Sequence, residues 1–216
     1  MYSTVIASSL LVAVSGHGFM TVPPARNVQS YGTANQYCPH CFNAGGTGAV
    51  SAASGGVFLW PETSETASRH GLCGDPAGST DHMTGGALYT PDIVGTFMAG
   101  GKINIEILVT AHHNGHFEFS LCDKSDLVDP SGSITQECLD QHTLLRSPEH
   151  EATDSHLIDP AYPGRYYLDP KCSKPIEYND EFYIDAQKVT MTYDLPNVVS
   201  NFAVLQWWQV PAAHTR

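Results

Sequence analysis

From Ile103 to Val109 the chain alternates without a break: Ile103, Ile105, Ile107 and Val109 fall on one side, with Asn104, Glu106 and Leu108 on the other. Successive side chains of an extended strand point to opposite faces, so this run reads as a half-buried β-strand. His116 to Leu121 alternates in the same way, and strand texture returns at Phe182 to Tyr193 and Phe202 to Trp208. Helix has little to build on, because 19 Gly and 14 Pro accompany only 15% charged residues, a balance that disfavours coiled coils and long helices. One short helix is expected at residues 61–69, where Pro61 suits a first turn and Glu62 and Glu65 favour its N-terminus.

Asn43 to Gly56 and Asp140 to Asp159 lack any period and are expected to be surface loops. No internal repeat or linker divides the chain. The expected architecture is all-β, an immunoglobulin/fibronectin-like antiparallel β-sandwich with long loops.

The stretch Val5 to Val14 is apolar but too short to span a bilayer, and it fits the core of a signal peptide. Val14 and Gly16 suit cleavage before His17, so residues 1–16 are expected to be removed on export, leaving residues 17–216 as one catalytic domain, secreted and monomeric. No membrane span is expected elsewhere. Ten Lys and Arg against 22 Asp and Glu give a formal net charge of -12, and no basic cluster is present to displace counterions from phosphate, which excludes nucleic acid as a partner. In an oxidising compartment the even count of six Cys reads first as disulfides.

A His at the start of a mature chain has unusual chemistry. Its α-amine, with a pKa of about 8, and its ring nitrogen chelate one metal ion, and an imidazole from elsewhere completes a T of three nitrogens that suits Cu(II) and leaves a position open. The segment Thr110-Ala111-His112-His113, at the end of the alternating strand, is the expected source of that imidazole. A zinc-binding HExxH helix is set aside, since Gly115, Phe117 and Phe119 read as strand.

These residues resemble the copper-dependent lytic polysaccharide monooxygenases. The resemblance rests on His17-Gly18 followed by Pro23-Pro24-Ala25-Arg26-Asn27, on Thr110-Ala111-x-His113 followed by Gly115-x-Phe117-Glu118-Phe119 and Cys122, and on Leu205-Gln206-Trp207. It implies one copper ion held by His17 and His113, with His112 the variable position. It also implies an external electron donor, O2 or H2O2 as co-substrate, and a polysaccharide as substrate. The order of the motifs and Cys38-Pro39-His40-Cys41 look most like the insect-type chitin- and cellulose-cleaving branch and the oomycete pectin-cleaving branch, with the latter favoured.

The insect-type branch carries an axial Tyr where this chain has Gln209, beside Trp208. Gln206, Trp208, Gln209 and Glu118 are therefore the candidates for residues near or axial to the metal, and His116 is either structural or close to it. A galacturonan substrate would need a local basic patch to offset the net charge, for which Arg26, Lys102, Lys124, Arg165 and Lys171 are the candidates. Cys122 is expected to pair with Cys138, and Cys73 with Cys38 or Cys41; a zinc site at Cys38 and Cys41 is the alternative. The competing functions are a non-catalytic copper-binding protein with the same histidine brace and a copper-free carbohydrate-binding or wall protein.

Overall fold

A computed structural model describes residues 17–29, 72, 73, 75, 80–112, 114–126, 132–148, 157–178 and 182–210. The expected leader, the helix at 61–69, the loop at 43–56 and Cys38 with Cys41 lie outside these residues. The described elements are β1 (His17–Val22), α1 (Arg26–Gln29), β2 (Lys102–Ala111), β3 (His116–Asp123), α2 (Gln136–Asp140), β4 (Leu145–Arg146), β5 (Tyr166–Tyr167), β6 (Lys174–Tyr178), β7 (Phe182–Asp194) and β8 (Ala203–Val210). One sheet runs β1-β2-β7-β4 with β6 also on β7, the other runs β5-β3-β8, and every pairing is antiparallel. The expected β-sandwich is the observed fold.

The alternation in β2 decides how the sheets face each other. Ile103, Ile105, Ile107 and Val109 are buried and meet Phe117, Phe119 and Tyr166 from the second sheet, with Val189, Met191 and Tyr193 of β7 beside them. Fully burying each such side chain contributes about 1.5–3 kcal/mol. Leu108, on the opposite face of this strand, which was expected to be half-buried, is buried as well. It packs with Phe19, Val28 and Ala186 in a second cluster outside the five-stranded sheet. Near Ala111, therefore, that sheet is covered on both faces.

The outer face of the three-stranded sheet is covered at its other end by α2. Thr135 caps this helix by accepting a hydrogen bond from the Cys138 N–H, and the expected Cys122–Cys138 disulfide ties it to β3. Cys73 is not bridged as expected. Its thiol is free and half-buried, and it accepts a hydrogen bond from Arg26 Nη1 at 3.4 Å. Burial pushes that thiol's pKa up despite the nearby guanidinium. The expected loop from Asp140 is also corrected over its described part, because Leu144, Arg146 and Ser147 are buried and β4 pairs with the end of β7.

Candidate metal centre

Four strand ends converge where β2 finishes. His17 stands opposite Ala111 in the β1–β2 ladder, with a register shift between His17 and Gly18. In the other sheet His116 stands opposite Val210, and Phe117 opposite Gln209. The backbone of His17 thus lies beside the strand that leads into His113, while β3 departs from the same turn. His113 and the side chain of His17 lie outside the description. Among the described residues no three His, Cys, Asp or Glu side chains form a metal-binding group.

Gly18 is what allows β1 to lie this close. A Cβ there would fall 2.9 Å from the Leu108 carbonyl oxygen and 3.1 Å from Trp207 Cη2. Trp207 in turn stands edge-on to Phe117, with ring centroids 5.1 Å apart. The chain enters β3 through two consecutive left-handed residues, Asn114 (φ 55°) and Gly115 (φ 86°), the residue types that adopt this conformation most readily. The Asn114 N–H donates to His112 Nδ1 at 3.0 Å, and burial holds the His112 pKa below its ordinary value.

Cross-strand neighbours share a face, and this separates the polar candidates. Gln206 and Trp208, opposite Ser120 and Glu118, lie on the outer face, while Gln209 faces inward with Phe117. Gln206 is fully engaged: its Nε2 donates to the Leu72 carbonyl at 2.9 Å, and its Oε1 accepts from Trp208 Nε1 at 2.6 Å. Glu118 accepts from Arg165 Nε at 2.6 Å and from His116 Nε2 at 3.1 Å. Burial alone would raise the pKa of this carboxyl, but the hydrogen bonds from His116 and Arg165 together hold it below the usual range.

In contrast, Trp207 Nε1 and both amide atoms of Gln209 are buried without a hydrogen-bond partner. A buried polar atom left unpaired costs about 1–3 kcal/mol, so their concentration near these strand ends fits a polar group bound there. An amide oxygen could also serve as a weak ligand to copper. The residues present therefore fit a copper ion.

The five basic candidates do not form one patch. Lys102, at the opposite end of β2, donates to Ser147 Oγ at 2.6 Å. Lys124 is buried beyond the end of β3 and donates to Thr84 Oγ1 at 3.2 Å. Arg26 donates to the His82 carbonyl at 2.9 Å, Arg165 is committed to Glu118, and Lys171 is exposed.

Two arrangements were not visible in the sequence. One is the buried pair in which His82 Nδ1 lies 2.6 Å from Asp75 Oδ1, beside Arg26 and Cys73. The other is an exposed group around Tyr162, Arg165 and Tyr167. Nothing in the spacing of either marks it, since both are assembled by loops.

The comparisons with known proteins concern the same span. The family model described as lytic polysaccharide mono-oxygenase, cellulose-degrading, matches residues 17–216. Lytic polysaccharide monooxygenase aasB of Emericella nidulans is 30% identical over 132 residues, covering 59% of this chain and 37% of that protein. AA13 family lytic polysaccharide monooxygenase A of Aspergillus terreus is 28% identical over 134 residues, 60% of this chain and 31% of that protein. The match thus spans about a third of the length of these curated relatives. The structure of lytic polysaccharide monooxygenase AA15 from Thermobia domestica in the Cu(I) state aligns with a TM-score of 0.58 at 25% identity, over 88% of this chain and 81% of that one.

Proposed function

The chain belongs to the lytic polysaccharide mono-oxygenase family, which its residues 17–216 match, and from that premise we propose that it is a secreted enzyme oxidising polysaccharides with one copper ion held by His17 and His113. The observation that carries this reading is the β1–β2 register, in which His17 faces Ala111, two residues before His113. Removal of residues 1–16 frees the His17 amine, which as a peptide nitrogen within a longer chain is a poor ligand. The family match beginning at His17 supports that boundary.

When bound, copper supplies the redox chemistry that, with an external electron donor and O2 or H2O2, oxidises a C–H bond next to a glycosidic linkage. The chain's own residues do the rest. Gly18 lets the His17 backbone lie against β2, the strand that leads in sequence to His113. Phe117 and Trp207 pack edge-on beside Gly18, an apolar support for the start of β1. The Gln209 amide, buried and unpaired on β8, would offer the copper a weak polar neighbour where the insect-type branch has Tyr.

We favour an uncharged polysaccharide, cellulose or chitin, over galacturonan. Lys102 and Lys124 lie at the far end, Arg165 is paired with Glu118, and the net charge of -12 would repel a polyanion at long range. The test is protein beginning at His17, titrated with Cu(II) and followed by EPR. A tetragonal, nitrogen-rich signal should appear and be lost in His113→Ala but not in His112→Ala. Equal loss in both variants would refute the ligand assignment. With ascorbate, oxidised oligosaccharides should come from cellulose or chitin. Copper binding without any such products would indicate a non-catalytic copper protein, and products from homogalacturonan alone would reverse the substrate assignment.

A further inference from the structure

The loop from Asp159 to Arg165 is built to hold two tyrosines on the surface. Asp159 Oδ1 accepts from the Ala161 N–H at 2.8 Å. The Tyr162 N–H donates to the Asp159 carbonyl at 3.0 Å, and the Arg165 N–H donates to the Tyr162 carbonyl at 3.0 Å. Pro160 and Pro163 stiffen the turns between. The loop is also fastened to the sandwich. The Arg146 N–H donates to the Pro163 carbonyl at 3.1 Å, the Tyr193 hydroxyl to the Gly164 carbonyl at 3.1 Å, and a Cβ at Gly164 would fall 2.7 Å from the Leu144 carbonyl oxygen.

What this frame displays is aromatic and exposed. Tyr162 is 50% and Tyr167 37% exposed. The Arg165 guanidinium stacks on Tyr162, 3.7 Å from the ring centroid, and is itself fixed by Glu118. The Tyr167 hydroxyl donates to Asp159 Oδ2 at 2.9 Å. Both rings are therefore ordered in advance, which lowers the entropic cost of binding something against them.

Their position connects them to the candidate metal centre. Tyr167 stands opposite His116 at the edge of the three-stranded sheet, and the next residue, Leu168, donates its N–H at 2.9 Å to the carbonyl of Gly115, two residues after His113 in sequence.

We propose that Tyr162, Tyr167, Arg165 and Asp159 form a polysaccharide-binding strip that continues the metal-bearing end of the sandwich onto its open edge. It rests on the polysaccharide-oxidising reading above and adds the residues that hold the chain. A pyranose ring has an apolar C–H face and a hydroxyl rim, matching a tyrosine face flanked by a guanidinium and a carboxylate. The occupant is uncharged: Glu118 neutralises Arg165, whereas Asp159 faces the strip as an anion that would meet the carboxylates of a galacturonan.

The experiment is depletion binding of the copper-loaded protein, without reductant, to insoluble cellulose and chitin. Thermal melting and the EPR signal report integrity. Tyr162→Ala/Tyr167→Ala should weaken binding to the polysaccharide the wild type holds by about tenfold, with the EPR signal intact, and Tyr162→Trp/Tyr167→Phe should restore most of it. A double alanine variant that binds like wild type would overturn the strip, and if it still released oxidised oligosaccharides with ascorbate, the monooxygenase reading would stand. Wild-type protein that neither bound cellulose or chitin nor oxidised any polysaccharide would overturn both. Tighter binding to immobilised homogalacturonan than to cellulose or chitin would overturn the uncharged occupant.

Discussion

Replacing Gly18 by Ala tests whether the approach of β1 to β2 sets the end proposed above to hold copper. The new Cβ would stand 2.9 Å from the Leu108 carbonyl oxygen and 3.1 Å from Trp207 Cη2. The first obstacle is backbone within a paired strand, and the second is a ring held edge-on against Phe117, so neither yields cheaply. Overpacking of this kind costs about 1–3 kcal/mol. Against it stands the gain from a less flexible unfolded chain, about 0.4–1 kcal/mol. The strain wins, and a net loss of about 1–2 kcal/mol should lower Tm by roughly 3–6 °C at this size. Calorimetry of the metal-free variant measures this loss. A parallel copper titration should show weaker binding, because the same displacement moves the His17 backbone away from Ala111. A Tm equal to or above wild type would refute the argument, since the contact would then have been relieved at no cost.

Two other outcomes follow from the fold. Cys122→Ala/Cys138→Ala opens a bridge with a sequence separation of 16 and should destabilise the protein by about 3 kcal/mol; unchanged denaturant midpoints would mean α2 is held by its packing alone. Glu118→Gln should show a pH-dependent penalty. A carboxyl with a lowered folded-state pKa stabilises above its unfolded value near ~4.3 and loses that contribution as pH falls through the folded value. Wild type should therefore be the more stable protein at pH 7 and lose its advantage in acid, whereas a difference constant across pH would exclude an electrostatic origin.

The long strands were legible because a period of two survives in sequence wherever one face is buried. Ile103 to Val109 and His116 to Leu121 carry it clearly. Leu108 broke the rule because α1 and β6 cover the outer face, and that cover is set by contacts remote in the chain. β4 and β5 have two residues each, too few for any period, and α2 depends on its Thr135 cap and its tie to β3. At the site, residue types were legible and register was not. Nothing local says that His17 faces Ala111, that Gln206 is spent on Leu72 and Trp208, or that Gln209 turns inward. The basic residues looked like a possible patch only until the strand directions sent Lys102 and Lys124 to the far end.

Long-range pairing also has a consequence for how the molecule is made. β2 pairs residues 102–109 with residues 187–194, β3 pairs residues 116–123 with residues 203–210, and β1 must wait for residues 106–111. Neither central ladder can close until most of the chain is available, so contact order is high and folding is expected to be slow. The Cys122–Cys138 bridge spans a short loop and so has a low closure cost. An exported chain would therefore spend its early life with α2 tethered and the Ile-rich face of β2 uncovered, exposed to aggregation until β7 and β8 arrive. The end that carries His17 needs both sheets in place, which makes it among the last parts to form and ties its chemistry to completed folding.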